Sequence, residues 1–138
     1  MNRCTILRSL DAPVDRVWAI VGRPGVSPGP GVHVTVEQPG SEVGTGLIRA
    51  VRVGPVTVHE EITGVGPGKV LKYRLVKGAP VRDYTGTVTL EGSPAGGTQV
   101  SWVVQFRPSV PGTGWLVSLL TRRTLNRVLD AVSASLQS

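Results

Sequence analysis

A chain of 138 residues with 40% hydrophobic content is long enough for one domain with a substantial core. Its formal net charge is +6, but the fifteen cations are scattered singly apart from Arg122-Arg123. No basic run with interleaved aromatics suggests a nucleic-acid groove, and the charge reads as a solvated surface. One cysteine, Cys4, excludes an internal disulfide and fits a reducing cytoplasm. No signal peptide is read at the N-terminus, and no stretch has the ~18 consecutive apolar residues of a membrane span.

Residues 3–10, RCTILRSL, read as a strand with Cys4, Ile6, Arg8 and Leu10 on one side. The next stretch, DAPVDRVWAIVG, reads as a short helix. Pro13 suits the first helical position and Asp15 the first turn, where the helix dipole favours a carboxylate. Val14, Val17, Trp18 and Val21 recur at helical spacing, and Gly22 ends the pattern. Residues 22–31, GRPGVSPGPG, hold three prolines and four glycines, so they form a loop. It is either a mobile edge of a cavity or a connector.

From Val32 onward the period is two. Strands are expected at about 32–38, 46–54, 56–63, 69–77, 83–91 and 98–107. The breaks are Pro39-Gly40-Ser41, Gly54-Pro55, Gly64–Gly68, Gly78-Ala79-Pro80 and Ser93–Gly97. Such short connections permit hairpins and leave no helices for parallel crossovers, so a seven-stranded antiparallel sheet follows.

Residues 112–136 read as one long helix. Val117, Leu125, Val128, Val132 and Leu136 fall on one face, with Leu120 and Leu129 on its flanks. Arg122, Arg123, Asn126, Arg127, Asp130 and Gln137 take the other side. Thr121 and Thr124 sit inside the apolar stripe, where a hydroxyl either bonds back to the helix or lines an unfilled cavity. With no second long helix to pack on, the stripe must lie on the sheet. The expected fold is therefore α+β and one domain over residues 1–138: a curved sheet wrapped around the C-terminal helix, with a short helix after strand 1. The space between helix and sheet is the natural ligand site.

Several short segments carry a family resemblance over almost the whole chain. They are Ala12-Pro13 and Val17-Trp18, Gly46-Leu47-Ile48-Arg49, Val58-His59-Glu60-Glu61-Ile62 and Leu71-Lys72-Tyr73. They continue in Pro80-Val81-Arg82-Asp83-Tyr84, and in Gly97-Thr98-Gln99-Val100-Ser101-Trp102 with Phe106. In this order the chain resembles the START-like, or Bet v 1-like, superfamily with the helix-grip fold. Within it, the chain is similar to polyketide cyclase/dehydrase-type proteins. The resemblance implies binding of hydrophobic small molecules or lipids, with cyclisation or dehydration of polyketides in some members. The chain departs from the pattern after the first helix, where similar proteins carry a second short helix and this one has GRPGVSPGPGVH.

Strand parity sorts side chains into two sets. The more apolar set, expected to face the helix, includes Arg49, Glu60, Tyr73, Tyr84 and Trp102. Arg and Glu are rarely buried unless paired, so Arg49 and Glu60 suggest an ion pair inside a partly apolar cavity. The Gly54-Pro55 turn centres a hairpin that places them directly opposite one another. The pair either polarises a bound carbonyl, carboxylate or phenolate, or merely fixes strand register. Candidate catalytic residues are accordingly Arg49, Glu60, Tyr73 and Tyr84. Candidate ligand contacts are Val58, Leu71, Trp102, Val104, Phe106, Thr121, Thr124 and Val128. His33, His59 and Cys4 lack metal-ligand spacing, and His59 falls on the outer face. No phosphate loop, dinucleotide fingerprint or nucleophile elbow is present, so no cofactor or metal is expected.

Three functional alternatives remain on the sequence. One is a small-molecule binding protein acting as a polyketide cyclase or dehydratase. A second is a non-catalytic carrier of a lipid or hydrophobic ligand. The third is a homodimeric interaction module resting on Trp115, Leu116 and Leu119, which lie off the main stripe. A hydrophobic small molecule is the expected partner, with no nucleic acid and no stable membrane insertion.

Overall fold

The computed structural model describes residues 1–137. Strand β1 (Asn2–Leu10) leads into helix α1 (Val14–Val21). Six strands follow: β2 (Val32–Gln38), β3 (Ile48–Val53), β4 (Val56–Gly66), β5 (Val70–Lys77), β6 (Val81–Gly92) and β7 (Thr98–Pro108). Helix α2 (Gly114–Gln137) ends the chain. The seven strands form one antiparallel sheet in the order β1-β7-β6-β5-β4-β3-β2, so the meander closes with β1 against β7. This is the helix-grip architecture expected from the pattern.

The short connections set the sheet. Gly54, at φ 58, makes the tight β3–β4 turn, which fixes the register Arg49↔Glu60 and Val51↔Val58. Register shifts between β4 and β5 and between β6 and β7 mark bulges, which add bend to a sheet that curves around α2. One bulge corrects an expected break. Gly64 and Gly66 belong to β4 rather than to a turn, because the irregularity at Ile62/Gly64 absorbs the glycine and pairing resumes with Lys72.

β7 alternates without fault: Thr98, Val100, Trp102, Val104 and Phe106 are buried and their neighbours are not. The four apolar ones join Ile6, Leu10, Val17, Ile62, Leu71, Tyr73, Leu125, Leu129 and Val132 in the main core. Val32, Val51, Val53 and Ala131 form a smaller cluster at the β2–β3 edge. α2 is fastened to β1: Arg8 donates to Asp130 at 2.7 Å and to Asn126 at 3.0 Å, and Arg122 donates to the Thr5 carbonyl at 3.2 Å.

Val117, Leu125 and Val132 of the expected helix stripe are buried, and the two flanks differ from one another. Leu129, expected on a flank, is 1% exposed, whereas Leu120 is 50% exposed and Val128 only half-buried. The C-terminal half of α2 rests on the core. The N-terminal half overhangs open space: Val117 still reaches the core, but Leu116 and Leu120 border the space and stay exposed. Among the described residues, no helix is long and apolar enough to cross a membrane.

Candidate functional site

The open space is a cavity of about 360 Å³ between α2 and strands β2 to β7. Valines 34, 51, 53, 56 and 58 with Leu75 form its sheet wall. Leu116, Val117, Leu120, Thr121, Thr124, Leu125 and Val128 form its helix wall. The charged residues on this wall, among the described residues, are Arg49 and Glu60. A wider trough of about 650 Å³, bounded by His33, Arg52 and Arg127, lies open along the C-terminal half of α2. The buried ionisable chemistry belongs to the smaller, more enclosed space.

Arg49 and Glu60 meet as strand parity requires. Arg49 Nε and Nη2 donate to Glu60 Oε1 at 3.1 and 2.9 Å, and Arg49 Nη1 donates to the Pro24 carbonyl at 2.9 Å. The Arg49 and Glu60 side chains are 14% and 10% exposed, so the guanidinium and carboxylate compensate each other almost out of solvent. Both donors converge on one carboxylate oxygen. Among the described residues no hydrogen bond to Oε2 occurs, and Glu60 borders the cavity.

The second polar element is a chain of rings. Trp102 Nε1 donates to the Tyr73 hydroxyl at 3.0 Å, and the Tyr84 ring lies beside Tyr73 with centroids 6.5 Å apart. Tyr73 sits edge-on to Trp102, and Tyr84 stacks on Phe106 at 6.1 Å. Burial pushes both tyrosine pKa values above the ordinary phenol range, and the Glu60 carboxylate pushes in the same direction. Both phenols are therefore protonated at neutral pH and are donors.

A glycine makes the Tyr73 position possible. Gly86 lies directly across from Tyr73 in β6, and a Cβ there would stand 2.1 Å from the Tyr73 ring. The phenol lies flat over bare backbone.

The expected site residues divide by place. Arg49, Glu60, Tyr84, Val58, Trp102, Thr121, Thr124 and Val128 all line the main cavity. Leu71 and Tyr73 do not; they border a separate space of about 60 Å³ behind Arg49 and Trp102. Val104 and Phe106 are off the wall altogether, at 0% exposure in the main core. They share the inward parity of Trp102, but on that side of the sheet the helix approaches closely and leaves no gap. Thr124 Oγ1 donates to the Leu120 carbonyl at 3.0 Å, the back-bonding alternative, while still bordering the cavity. His59 faces outward and meets Glu37 at 2.6 Å. No group of three or more His, Cys, Asp or Glu able to hold a metal occurs among the described residues.

Several wall residues were not anticipated. Val51, Val53, Val56 and Leu75 carried the inward parity that would have found them. Gly78, Ala79, Pro80, Val110 and Thr113 come from connections, where period two says nothing. Pro28 brings the 22–31 loop to the wall. That loop is held at several points: Pro24 by Arg49, Pro28 by the Ser135 hydroxyl at 2.7 Å, and Ser27 by the Val32 carbonyl. Gly29 lies against the Ala131 carbonyl, where a Cβ would stand 2.1 Å from the oxygen.

With sheet, helix and cavity in place, a family model described as polyketide cyclase / dehydrase and lipid transport matches residues 3–138. The chain belongs to that family. Solved structures share its fold at low identity. An uncharacterised protein from Bacillus thuringiensis matches with a TM-score of 0.80 at 17% identity, covering 99% of this chain and 100% of its own. The protein XoxI from Bacillus cereus matches with a TM-score of 0.79 at 19% identity, covering 98% and 95%. Norcoclaurine synthase from Thalictrum flavum, in complex with dopamine and hydroxybenzaldehyde, matches with a TM-score of 0.78 at 16% identity, covering 99% and 86%. Comparison with curated proteins gives no match. The cyclase and lipid-transport family thus supplies a ligand-binding fold, and the lining of the cavity supplies the chemistry.

Proposed function

We propose that this chain binds a hydrophobic small molecule, polyketide-, aromatic- or lipid-like, whose one carbonyl or phenolic group sits against Arg49, Glu60 and Tyr84. A single observation carries this: a cavity with predominantly apolar walls whose only charges, among the described residues, are one mutually compensated pair on the sheet side. An apolar ligand gains from the walls; a carbonyl on it would accept from Tyr84, and a phenol would in addition donate to Glu60. The family description and the aromatic aldehyde and amine held by norcoclaurine synthase support a ligand of this class.

Catalysis is the second reading, favoured by a carboxylate and a phenol that both border the cavity. Glu60 Oε2 would take a proton from the carbon between two carbonyls of a folded poly-β-carbonyl chain, and Arg49 would stabilise the enolate charge. On ring closure the protonated Glu60 would return that proton to the new alkoxide. It would then take the second α-proton while Tyr84 gives its proton to the departing hydroxyl, which leaves as water, and Glu60 would pass its proton back to Tyr84. A carrier needs only the binding half of this arrangement.

Native mass spectrometry of freshly purified protein tests the proposal. A co-purifying apolar ligand, lost when Val58→Phe fills the wall, is the expected result. A ligand released unchanged supports a carrier. Turnover of a poly-β-carbonyl mimic that Glu60→Gln abolishes supports an enzyme. Absence of both ligand and fluorescent-probe binding, with Val58→Phe indistinguishable from wild type, would refute a cavity site.

A further inference from the structure

The mouth of the cavity carries an apolar surface that extends beyond the binding site. Eleven large hydrophobic side chains are exposed among the described residues, and five of them fall within positions 110 to 120: Val110, Trp115, Leu116, Leu119 and Leu120. Trp115 is the extreme, at 70% exposure. Val110, Leu116 and Leu120 also border the cavity, so the patch is continuous with its rim, whereas Trp115 and Leu119 face away from it. Monomeric proteins seldom leave apolar side chains clustered in this way without a partner.

Charge selects among partners. The segments forming this end of the molecule, residues 76–84 and 107–123, hold Lys77, Arg82, Arg107, Arg122 and Arg123 against the single carboxylate of Asp83. Arg82 and Arg107 are cross-strand neighbours at the point where β7 turns toward α2. On α2, Trp115, Leu119 and Arg122 follow one helical row, and Leu116, Leu120 and Arg123 follow the next. The apolar residues thus occupy the first two turns, and the arginines stand ~5 Å along the axis beyond Leu119 and Leu120 and ~10 Å beyond Trp115 and Leu116. That layering matches a lipid interface, with Trp and Leu at the depth of the acyl boundary and Arg at the headgroup phosphates. A second copy of this chain fits poorly. A two-fold contact through the patch would set the same cations face to face.

We propose that the N-terminal end of α2, with Val110 and the β5–β6 turn, docks reversibly on an anionic lipid surface and presents the cavity mouth to it. The docking surface stands on its own residues. Only its purpose, passage of an apolar ligand between bilayer and cavity, rests on the cavity being the ligand site. No segment is inserted across the bilayer.

Vesicle sedimentation tests the surface directly. Wild-type protein should pellet with phosphatidylcholine vesicles containing about 30% phosphatidylglycerol, and far less with phosphatidylcholine alone. Emission should shift to the blue on binding, because Trp115 is the exposed tryptophan while Trp102 is buried and Trp18 half-buried. Trp115→Ser/Leu119→Ser should abolish both signals and leave thermal stability unchanged. Arg82→Gln/Arg123→Gln should weaken association about fivefold for each cation removed, and high salt should do the same. Failure of the wild type to bind anionic vesicles, or binding unaffected by the Trp115/Leu119 pair, would overturn the proposal. So would a dimer in solution that this pair disrupts, since the patch would then be a self-association surface. Binding of N-phenyl-1-naphthylamine without vesicles reports the cavity separately. Docking without probe binding would leave the membrane surface standing and remove the ligand site.

Discussion

Removing one member of the Arg49–Glu60 pair should damage the protein more than removing both. Arg49→Met leaves the Glu60 carboxylate facing a valine-rich wall at about 10% side-chain exposure, and it also frees the Pro24 carbonyl. Glu60→Gln keeps shape and volume but leaves a guanidinium with only a carbonyl and a neutral amide for partners. Breaking a fully buried pair from one side costs about 3–5 kcal/mol. The cavity admits some solvent to this pair, so about 2–4 kcal/mol is expected for each single change. In a domain of this size that is a fall in Tm of about 7–14 °C. The Arg49→Met/Glu60→Gln double variant removes both charges, and its loss should fall short of the sum of the singles by about 2 kcal/mol or more. Urea unfolding of all four proteins gives the coupling energy, and binding of a hydrophobic probe gives the functional term. Recovered stability with unaltered ligand selection would assign the pair to strand register alone. Single effects that are small and additive would refute the argument, because residues in a desolvated contact cannot be independent.

The tyrosines are the two in the chain, so tyrosinate absorbance reports on them alone. With both pKa values raised by burial, the native protein should show no ionisation step near pH 10, and the step should appear there in urea. The folded state then holds protons that the unfolded state releases. Stability should accordingly be level up to about pH 10 and fall as pH rises above it, more gently in Tyr73→Phe. Gly86→Ala should displace the Tyr73 ring, break its bond to Trp102 and cost about 2–4 kcal/mol by overpacking, with near-ultraviolet circular dichroism changed; an undisturbed aromatic signal would contradict the close contact. Amide exchange in residues 22–31 should accelerate in Arg49→Met, because the guanidinium holds Pro24, and should not accelerate in Thr63→Ala, a substitution in β4.

Which parts of this were legible in the sequence follows from how each is determined. Arg49 opposite Glu60 was legible because a two-residue turn at Gly54-Pro55 leaves the register no freedom, and parity then fixes the face. Val104 and Phe106 show the limit of parity. Inward direction is a property of one strand, whereas the gap above it depends on how far α2 stands from the sheet. That distance depends on contacts between elements far apart in the chain, among them Arg8 with Asp130 and Asn126, which join residues more than a hundred positions apart. The exposed position of Trp115 was legible for the same reason as the pair: it lies on a local helical face that needs no long-range contact to establish.

The cavity is itself an argument about function. A dry apolar void of about 360 Å³ would cost about 9 kcal/mol at the roughly 24 cal/mol per Å³ found for engineered cavities. That is most of the stability a domain of this size commands, about 5–15 kcal/mol. The chain holds enough valine and leucine around the space to close it by small side-chain changes, yet it keeps α2 fixed to β1 and overhanging. Two features lower the cost without removing the space. The mouth admits water, and the Arg49–Glu60 pair with the Tyr84 hydroxyl gives that water partners along one side only. Water at the valine wall has none. A ligand that replaces it there, while matching its bonds at Glu60 and Tyr84, recovers the stability the open space withholds. The polar atoms therefore decide which ligand fits, and the unfilled apolar wall supplies the drive to bind it.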